Sequence, residues 1–385
     1  MLAASEQFKA ALTQSHIARS RVTAHRRSEA DGVWTDTTLG DLPLVGGTVT
    51  IDGSANVWHR VRLEVADDTV RADGTTWSDL LTAIDCHLVV AFGVQTDYDL
   101  AESSPTVEWV TVATARVDKV TRDGATALLT VEASDDGARL DECDITQPWP
   151  GTGDDDLSHS VLDTITKLIT DAYPASAPPT VTDVGVLDTT WADMSVFQGG
   201  RWEAVNRLAE AIGAWVHCTE TGEWLIEPTP YALADPPDWA FTTGQVGTVT
   251  GLDSGTDRTE CANKVIVRVE LPFAGSQYAE AVDDDPTSPT RWDGPMGRVV
   301  RLVDNDICTS LAEAQAAADL LLTQLKGRAA LVSLASVHNP LLRPGDTISV
   351  PLPGGGTESH WVDSVTLPIP AGEMTVKTRV VEVTA

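Results

Sequence analysis

Cysteine pairs, cationic side chains and membrane signals are what this chain is short of, and each shortage removes a class of protein. Its five cysteines (Cys86, Cys143, Cys218, Cys261, Cys308) are odd in number, far apart and never spaced Cys-x-x-Cys. That excludes a disulfide framework and a zinc motif, and it fits assembly in a reducing cytoplasm. Lysine and arginine total 26 against 57 aspartates and glutamates, a net charge of −31 over 385 residues. Such a surface repels phosphate backbones and argues against stable nucleic-acid binding. It still permits nucleic acid to slide past acidic walls without sticking. The opening Met1-Leu2-Ala3-Ala4-Ser5-Glu6 lacks the basic and apolar regions of a signal peptide. No run approaches a transmembrane span, so no membrane insertion is expected. Gly-x-Ser-x-Gly, His-Glu-x-x-His and phosphate-cradling glycine loops are absent too. We therefore assign no catalytic residue, no cofactor and no metal, and expect the chain not to be an enzyme.

What is present reads as an α+β, β-rich protein of two to four domains. Apolar content of 42% and charged content of 22% are ordinary for globular chains. A short helical lead-in covers residues 6–14. Short strands separated by turn signals follow at Arg21–His25, Gly47–Asp52, Val61–Val65, Leu88–Gly93, Trp109–Val117 and Ala127–Ala133. The polar stretch 147–156 is the first linker. Beyond it, Ser158 is placed to cap a helix reaching Ala172. A second helix spans Arg201–Ile212, with Trp202 on its apolar face and Gly213 at its end. A hairpin of Ala214–Cys218 and Glu223–Pro228 completes a compact central module. Strand Lys264–Leu271 opens a second β region. Ser310 and Glu313 form a capping box for the longest helix, 310–326, and four more strands finish the chain. The expected boundaries are 1–146, 147–240 and 241–385.

Residues that invite a functional reading were weighed against plain structural ones. The acidic runs Asp154–Asp156 and Asp283–Asp285, and Asp304-Asn305-Asp306, lack the loop spacing of a calcium hand and read as solvated segments. Cys86-His87 and His217-Cys218 are adjacent on strands, where neighbours face opposite ways, so neither pair chelates one ion alone. Arg19, Arg21, Arg26 and Arg27, with His16 and His25, form the one local positive excess, read as one face of a strand or arm contacting a partner. Tyrosine and phenylalanine number only 4 and 5, whereas tryptophan reaches 12. That abundance leaves a carbohydrate-binding module open as the alternative function, although Trp202, Trp215 and Trp224 fall on predicted inner faces.

The most informative segment is His338-Asn339-Pro340-Leu341-Leu342-Arg343-Pro344-Gly345-Asp346, followed by Thr347–Val350. Asn-Pro and Pro-Gly forbid helix, and Gly345 admits positive φ, so a strand enters a turn and resumes. This wording, carried by Asn339, Pro340, Pro344, Gly345 and Asp346, resembles a segment near the C-terminus of bacteriophage tail hub proteins. Leu44–Asp52, the stretch from Phe197 through Trp202 to Gly213, Asn263–Val267 and Asp285–Pro289 are similar to other parts of such hubs, in the same order. The heavy Arg-over-Lys bias resembles high-GC actinobacteriophages. Where those proteins carry an Arg-Arg pair, this chain has Trp58-His59-Arg60.

The resemblance implies two tube-type β-barrel domains per subunit with helical and α+β insertions. It implies a homotrimer whose pseudo-sixfold ring joins the tail tube or distal tail protein to tip or fibre proteins. Such a hub, part of the baseplate or tail tip of the virion, is assembled in the bacterial cytoplasm. It lines the channel for DNA ejection without binding DNA specifically. The resemblance also implies that no lysozyme or peptidase domain follows.

Overall fold

The computed structural model describes residues 1–385 except 14–15, 31–32, 69, 97–105, 150–157, 193–196, 230–232, 245–246, 257–260, 272–273, 306, 309, 328–329, 353–355 and 380–385. It opens with α1 (Glu6–Leu12), whose first turn is capped by Ser5: the Oγ accepts from the Phe8 amide at 3.1 Å. Strands β1 (Ala18–Ala30), β2 (Val33–Asp41), β3 (Leu44–Asp52) and β4 (His59–Ala66) follow. A single turn of helix, α2 (Trp77–Leu80), precedes β5 (Cys86–Gln95), β6 (Val107–Asp123), β7 (Leu128–Ser134) and α3 (Ala138–Glu142). Along β4 the period of two is complete: His59, Val61, Leu63 and Val65 are buried while Arg60, Arg62 and Glu64 are exposed.

The central module runs β8 (Ile145–Trp149), β9 (Ser158–Ser160), α4 (Val161–Thr170), β10 (Val181–Asp183), β11 (Thr190–Ala192), β12 (Phe197–Gly199), α5 (Arg201–Ala211), β13 (Ala214–Cys218) and β14 (Trp224–Pro228). Ser160, not Ser158, caps α4, accepting from the Asp163 amide at 3.0 Å. Helices α4 and α5 pack with the β13–β14 hairpin around a core of Ile165, Ile169, Leu208 and Trp224. The rest comprises β15 (Trp239–Ala240), β16 (Val249–Thr256), β17 (Lys264–Leu271), β18 (Gly275–Val282), β19 (Val300–Asp304), α6 (Leu311–Gly327), β20 (Ala330–Ser336), β21 (Thr347–Pro351), β22 (Thr357–Ile369) and β23 (Met374–Arg379).

The two β regions share one sheet. Its strand order is β16-β20-β23-β22-β3-β4-β7-β6-β5-β1-β2, with β21 on β22 and β15 on β21, thirteen strands in all. The seam is antiparallel pairing of β22 with β3, where Val365 lies opposite Ile51 and Leu367 opposite Val49. All four side chains are buried in one core that also takes in Leu63, Phe92, Ile348 and Val376. Among the described residues the pairing forms an open path that ends at β2 and β16, and no closed barrel is seen. Helix α6 does not lie on this sheet. It covers a separate three-stranded sheet, β18-β17-β19, through Ala314, Ala318 and Leu322 packed on Val265, Val267 and Val269. The longest helix expected from the sequence thus packs on a sheet whose outer two strands, β18 and β19, carried no reading in the sequence.

Candidate functional site

Five of the seven singled-out residues meet at the Pro-Gly-Asp turn, where the reason for each residue type is visible. Asn339 Oδ1 accepts from the Leu341 amide at 3.0 Å, an Asx turn that spans Pro340, which has no amide to satisfy. Gly345 sits at φ +88°, the left-handed region where a side chain is penalised. Asp346 Oδ2 accepts from the Arg343 amide at 2.8 Å, and the Asp346 amide donates back to the Arg343 carbonyl at 3.2 Å. The turn is thus closed from both sides. Pro344 presses on Gly53, where an added Cβ would lie 2.5 Å from the proline Cβ.

The turn is buried and tied to every part of the molecule except the separate sheet. Leu2 donates its amide to the Leu341 carbonyl at 2.7 Å, and the Met1 amino group forms a close ion pair with Asp346 Oδ1. Gly345 and Val362 bind it to β22: the Gly345 amide donates to the Val362 carbonyl, and the Val362 amide to the Asp346 carbonyl, each at 2.9 Å. Just beyond it, the Thr347 amide donates to Asp238 Oδ2 at 2.8 Å. His338 lies against Phe92 of β5, ring centres 4.4 Å apart. Arg343 reaches toward Glu227 of β14 at 3.8 Å, and Glu227 pairs with His217 Nε2 at 3.1 Å. His217 in turn stacks on Trp58, centroid to centroid 3.7 Å with the ring planes nearly parallel.

Burial sets the charge states here. It pushes the Asp346 carboxyl up, against the pull of the neighbouring amino group. It pushes His338 down to about 4, with nearby His16 acting in the same sense. Burial opposes ionisation of Glu227 too, yet the hydrogen bond and charge of His217, helped by Arg343, hold that carboxyl below its ordinary range. Most of the turn's donors and acceptors are spent on backbone and neighbouring strands, whereas the two ring nitrogens of His338 and Asn339 Nδ2 are buried without a hydrogen-bond partner. That arrangement fixes the geometry of the turn.

Trp202 and Gly213 sit in the central module. Trp202 donates its Nε1 to the Gly137 carbonyl at 2.8 Å, and Trp224 donates to the Tyr173 hydroxyl at 2.8 Å. Gly213 ends α5 at φ +65° and accepts from the Thr229 amide at 3.0 Å. A cleft of about 240 Å³, lined among others by Gly53, Trp58, Trp202, Gly213, Trp215 and Leu321, brings this pair beside the seam.

Several expectations need correction. Asp283 is not a solvated linker residue: it is buried and accepts from Ser288 Oγ at 2.6 Å and Thr290 Oγ1 at 2.7 Å. Asn263 holds the same loop through the Thr290 and Gly297 carbonyls at 2.9 and 2.7 Å. Of the basic residues of β1, Arg19, Arg21, His25 and Arg27 share one face as expected and only Arg26 leaves it. Arg26 points away from His25 and Arg27 and pairs with Asp85 at 3.2 Å, while Arg21 lies over the Trp109 ring at 4.4 Å. Asp304 pairs with Arg268 at 2.7 Å. Asp154–Asp156 and Asp306 lie outside the described residues. All five cysteines are free thiols. Every tryptophan whose side chain is described is buried or half-buried, which leaves no exposed platform for a sugar ring among them.

No protein-family model and no curated protein matches the chain. Solved structures do. A tail protein from Neisseria meningitidis MC58 superposes with a TM-score of 0.61 at 11% identity, covering 94% of this chain and 96% of its own. The 43 kDa tail protein of prophage MuSo2 from Shewanella oneidensis gives 0.58 at 12% identity, covering 94% of this chain and 100% of its own. Prophage tail protein gp18 from Listeria monocytogenes EGD-e gives 0.53 at 10% identity, with 93% and 94% covered. At such identities the likeness is one of fold, and it runs the length of both partners: the chain has the β-rich α+β fold of phage and prophage tail proteins.

Proposed function

We propose that this chain is a structural component of a bacteriophage tail, acting as the hub of the tail tip or baseplate. The observation that carries the reading is the end-to-end likeness to phage and prophage tail proteins, with no large segment left over on either side. A hub of this kind is a homotrimer. Two tube-type domains per subunit, drawn from the two β regions, present six similar units to a sixfold tail tube or distal tail protein, and tip or fibre proteins attach opposite. Each subunit then supplies partners for strand edges such as β2 and β16 that lack a second neighbour among the described residues. Its net charge of −31 suits a channel wall past which DNA moves without specific binding. The protein carries no catalytic role, is built into the virion in the cytoplasm of its bacterial host, and its arginine-rich composition fits an actinobacterial one.

Imaging of assembled tails by cryo-electron microscopy tests this. Density for three copies in a ring at the tube end is the expected result. Tails with this chain absent from the tip, or present there as isolated monomers, overturn it.

A further inference from the structure

Among the described residues strand β2 is a sheet edge, paired with β1 alone, and its register is shifted by one residue. Ala24 pairs with Gly40 but His25 with Thr38, leaving Leu39 as an extra residue on β2. A shift of one moves every later side chain to the opposite face. It therefore places Asp36 and Thr38, rather than Thr37, on the face that carries His25. On that face β5 puts His87 directly opposite His25. Three strands thus converge two imidazoles and a carboxylate. His25 Nδ1 lies 3.7 Å from Asp36 Oδ1, and His87 Nε2 lies 3.3 Å from Asp36 Oδ2. The two rings stack at 5.1 Å and 22°, and one donor atom from each residue lies within 4.8 Å of the others.

We propose that His25, Asp36 and His87 bind a divalent transition-metal ion of the zinc class, which pins the edge strand β2 to β1 and β5. Two neutral imidazoles and one carboxylate are a recurrent ligand set for such ions, with water completing the shell. Bonds of about 2.0–2.2 Å to a tetrahedral ion separate neighbouring donors by roughly 3.3–3.6 Å, so the 3.3 Å from His87 to Asp36 already fits, while the 3.7 Å from His25, to the other carboxylate oxygen, is slightly long. Closing the gap between the imidazoles requires rotation of His25 and Asp36, whose side chains are 20% and 49% exposed, and exchanges the 3.4 Å contact of His25 Nδ1 with Thr38 Oγ1 for the ion.

His87 supplies a second, independent sign. It is buried, yet its Nδ1 has no hydrogen-bond partner and its Nε2 meets only Asp36. An ion at Nε2 would give this buried ring the ligand that Asp36 alone supplies now, with Nδ1, on the far side of the ring, carrying the proton. The charged surroundings refine the choice of ion. Arg27 lies on the same face of β1 and Arg116 opposite His87 on β6, with Asp85 and Asp136 farther along the adjoining groove. The arginines disfavour ions held by charge alone, such as calcium and magnesium. They leave ions whose affinity rests on nitrogen donors. Adjacent Cys86 faces away, so the ligands come from three strands and not from the sequence pair.

The test is titration of the untagged, chelator-treated full chain with Co2+, read by visible absorption, followed by displacement with Zn2+. Saturation at about one ion per chain in the micromolar range or tighter is expected. His25→Ala, at a half-buried position, and Asp36→Ala, at an exposed one, are each expected to weaken binding by about tenfold or more while the far-ultraviolet circular dichroism stays unchanged. Hydrogen exchange of the β2 amides should slow when Zn2+ is bound. Absence of binding below about 1 mM, or binding undiminished in both variants, overturns the proposal.

Discussion

The thirteen-stranded sheet and the small β18-β17-β19 sheet are held together in different ways. The large sheet joins strands from the two ends of the chain along the β3–β22 seam and shares one apolar core. Its Pro-Gly-Asp turn ties β5, β14, β22 and residues 1–2 into a single network. The small sheet is local: β17, β18, β19 and α6 follow one another in sequence, and its core is mostly valine and alanine. Its loop is closed by polar groups, Asp283 and Asn263, much as Asn339 and Asp346 close the turn of the large sheet. The difference teaches that shared long-range packing makes distant segments one cooperative unit, whereas a local helix-on-sheet unit can open by itself.

Cutting into the seam tests this most severely. Leu367→Ala removes a fully buried side chain opposite Val49, and a loss of about 2–5 kcal/mol is expected. Denaturant unfolding followed by probes in both β regions should still show one coincident transition. Two separated transitions would break the comparison.

Acid is a milder probe of the turn. His338 is held neutral down to about pH 4, whereas an unfolded imidazole titrates near 6.5. The unfolded chain therefore binds the proton first as pH falls. Stabilisation from this group is complete above about pH 6.5 and is lost as pH drops toward 4, by about 3 kcal/mol at most. Buried His87, also displaced to about 4, acts in the same direction. In His338→Leu the acid limb of the stability curve should flatten, and an unchanged limb would remove the turn from the account.

The smallest effect belongs to the small sheet. Thr290→Val deletes one of the two hydroxyls on Asp283 and should cost about 1 kcal/mol. Hydrogen exchange should quicken within 261–327 and stay unchanged in the large sheet. Faster exchange throughout would mean that the two sheets open together.

Much of the local structure was legible in the sequence because its signals are local. Gly213 and Ser310 punctuate helices, and the hairpin Ala214–Cys218 with Trp224–Pro228 follows from its strand alternation and Gly turn. The Pro-Gly-Asp turn was readable as a turn. That it is buried and joins the molecule was not, because its partners Leu2, Phe92, Glu227 and Asp238 are remote in sequence. The β3–β22 seam was hidden for the same reason. Strand β2 was missed, since Thr35, Asp36, Thr37 and Thr38 carry no apolar alternation at an exposed edge. Asp283 was misread because an acidic run beside proline looks solvated, and only the folded loop shows the hydroxyls that satisfy it.

The seam also orders events in time. Strand β3 is made early and β22 near the end, so during synthesis one long edge of β3 waits for its neighbour. At ribosomal rates of about 5–20 residues per second that wait is on the order of tens of seconds. For that interval the nascent chain exposes a strand edge and an apolar face, so crowding on polysomes favours pairing between neighbouring copies. Whatever protects that edge, a chaperone or slow translation of a single copy, sets the yield of native protein.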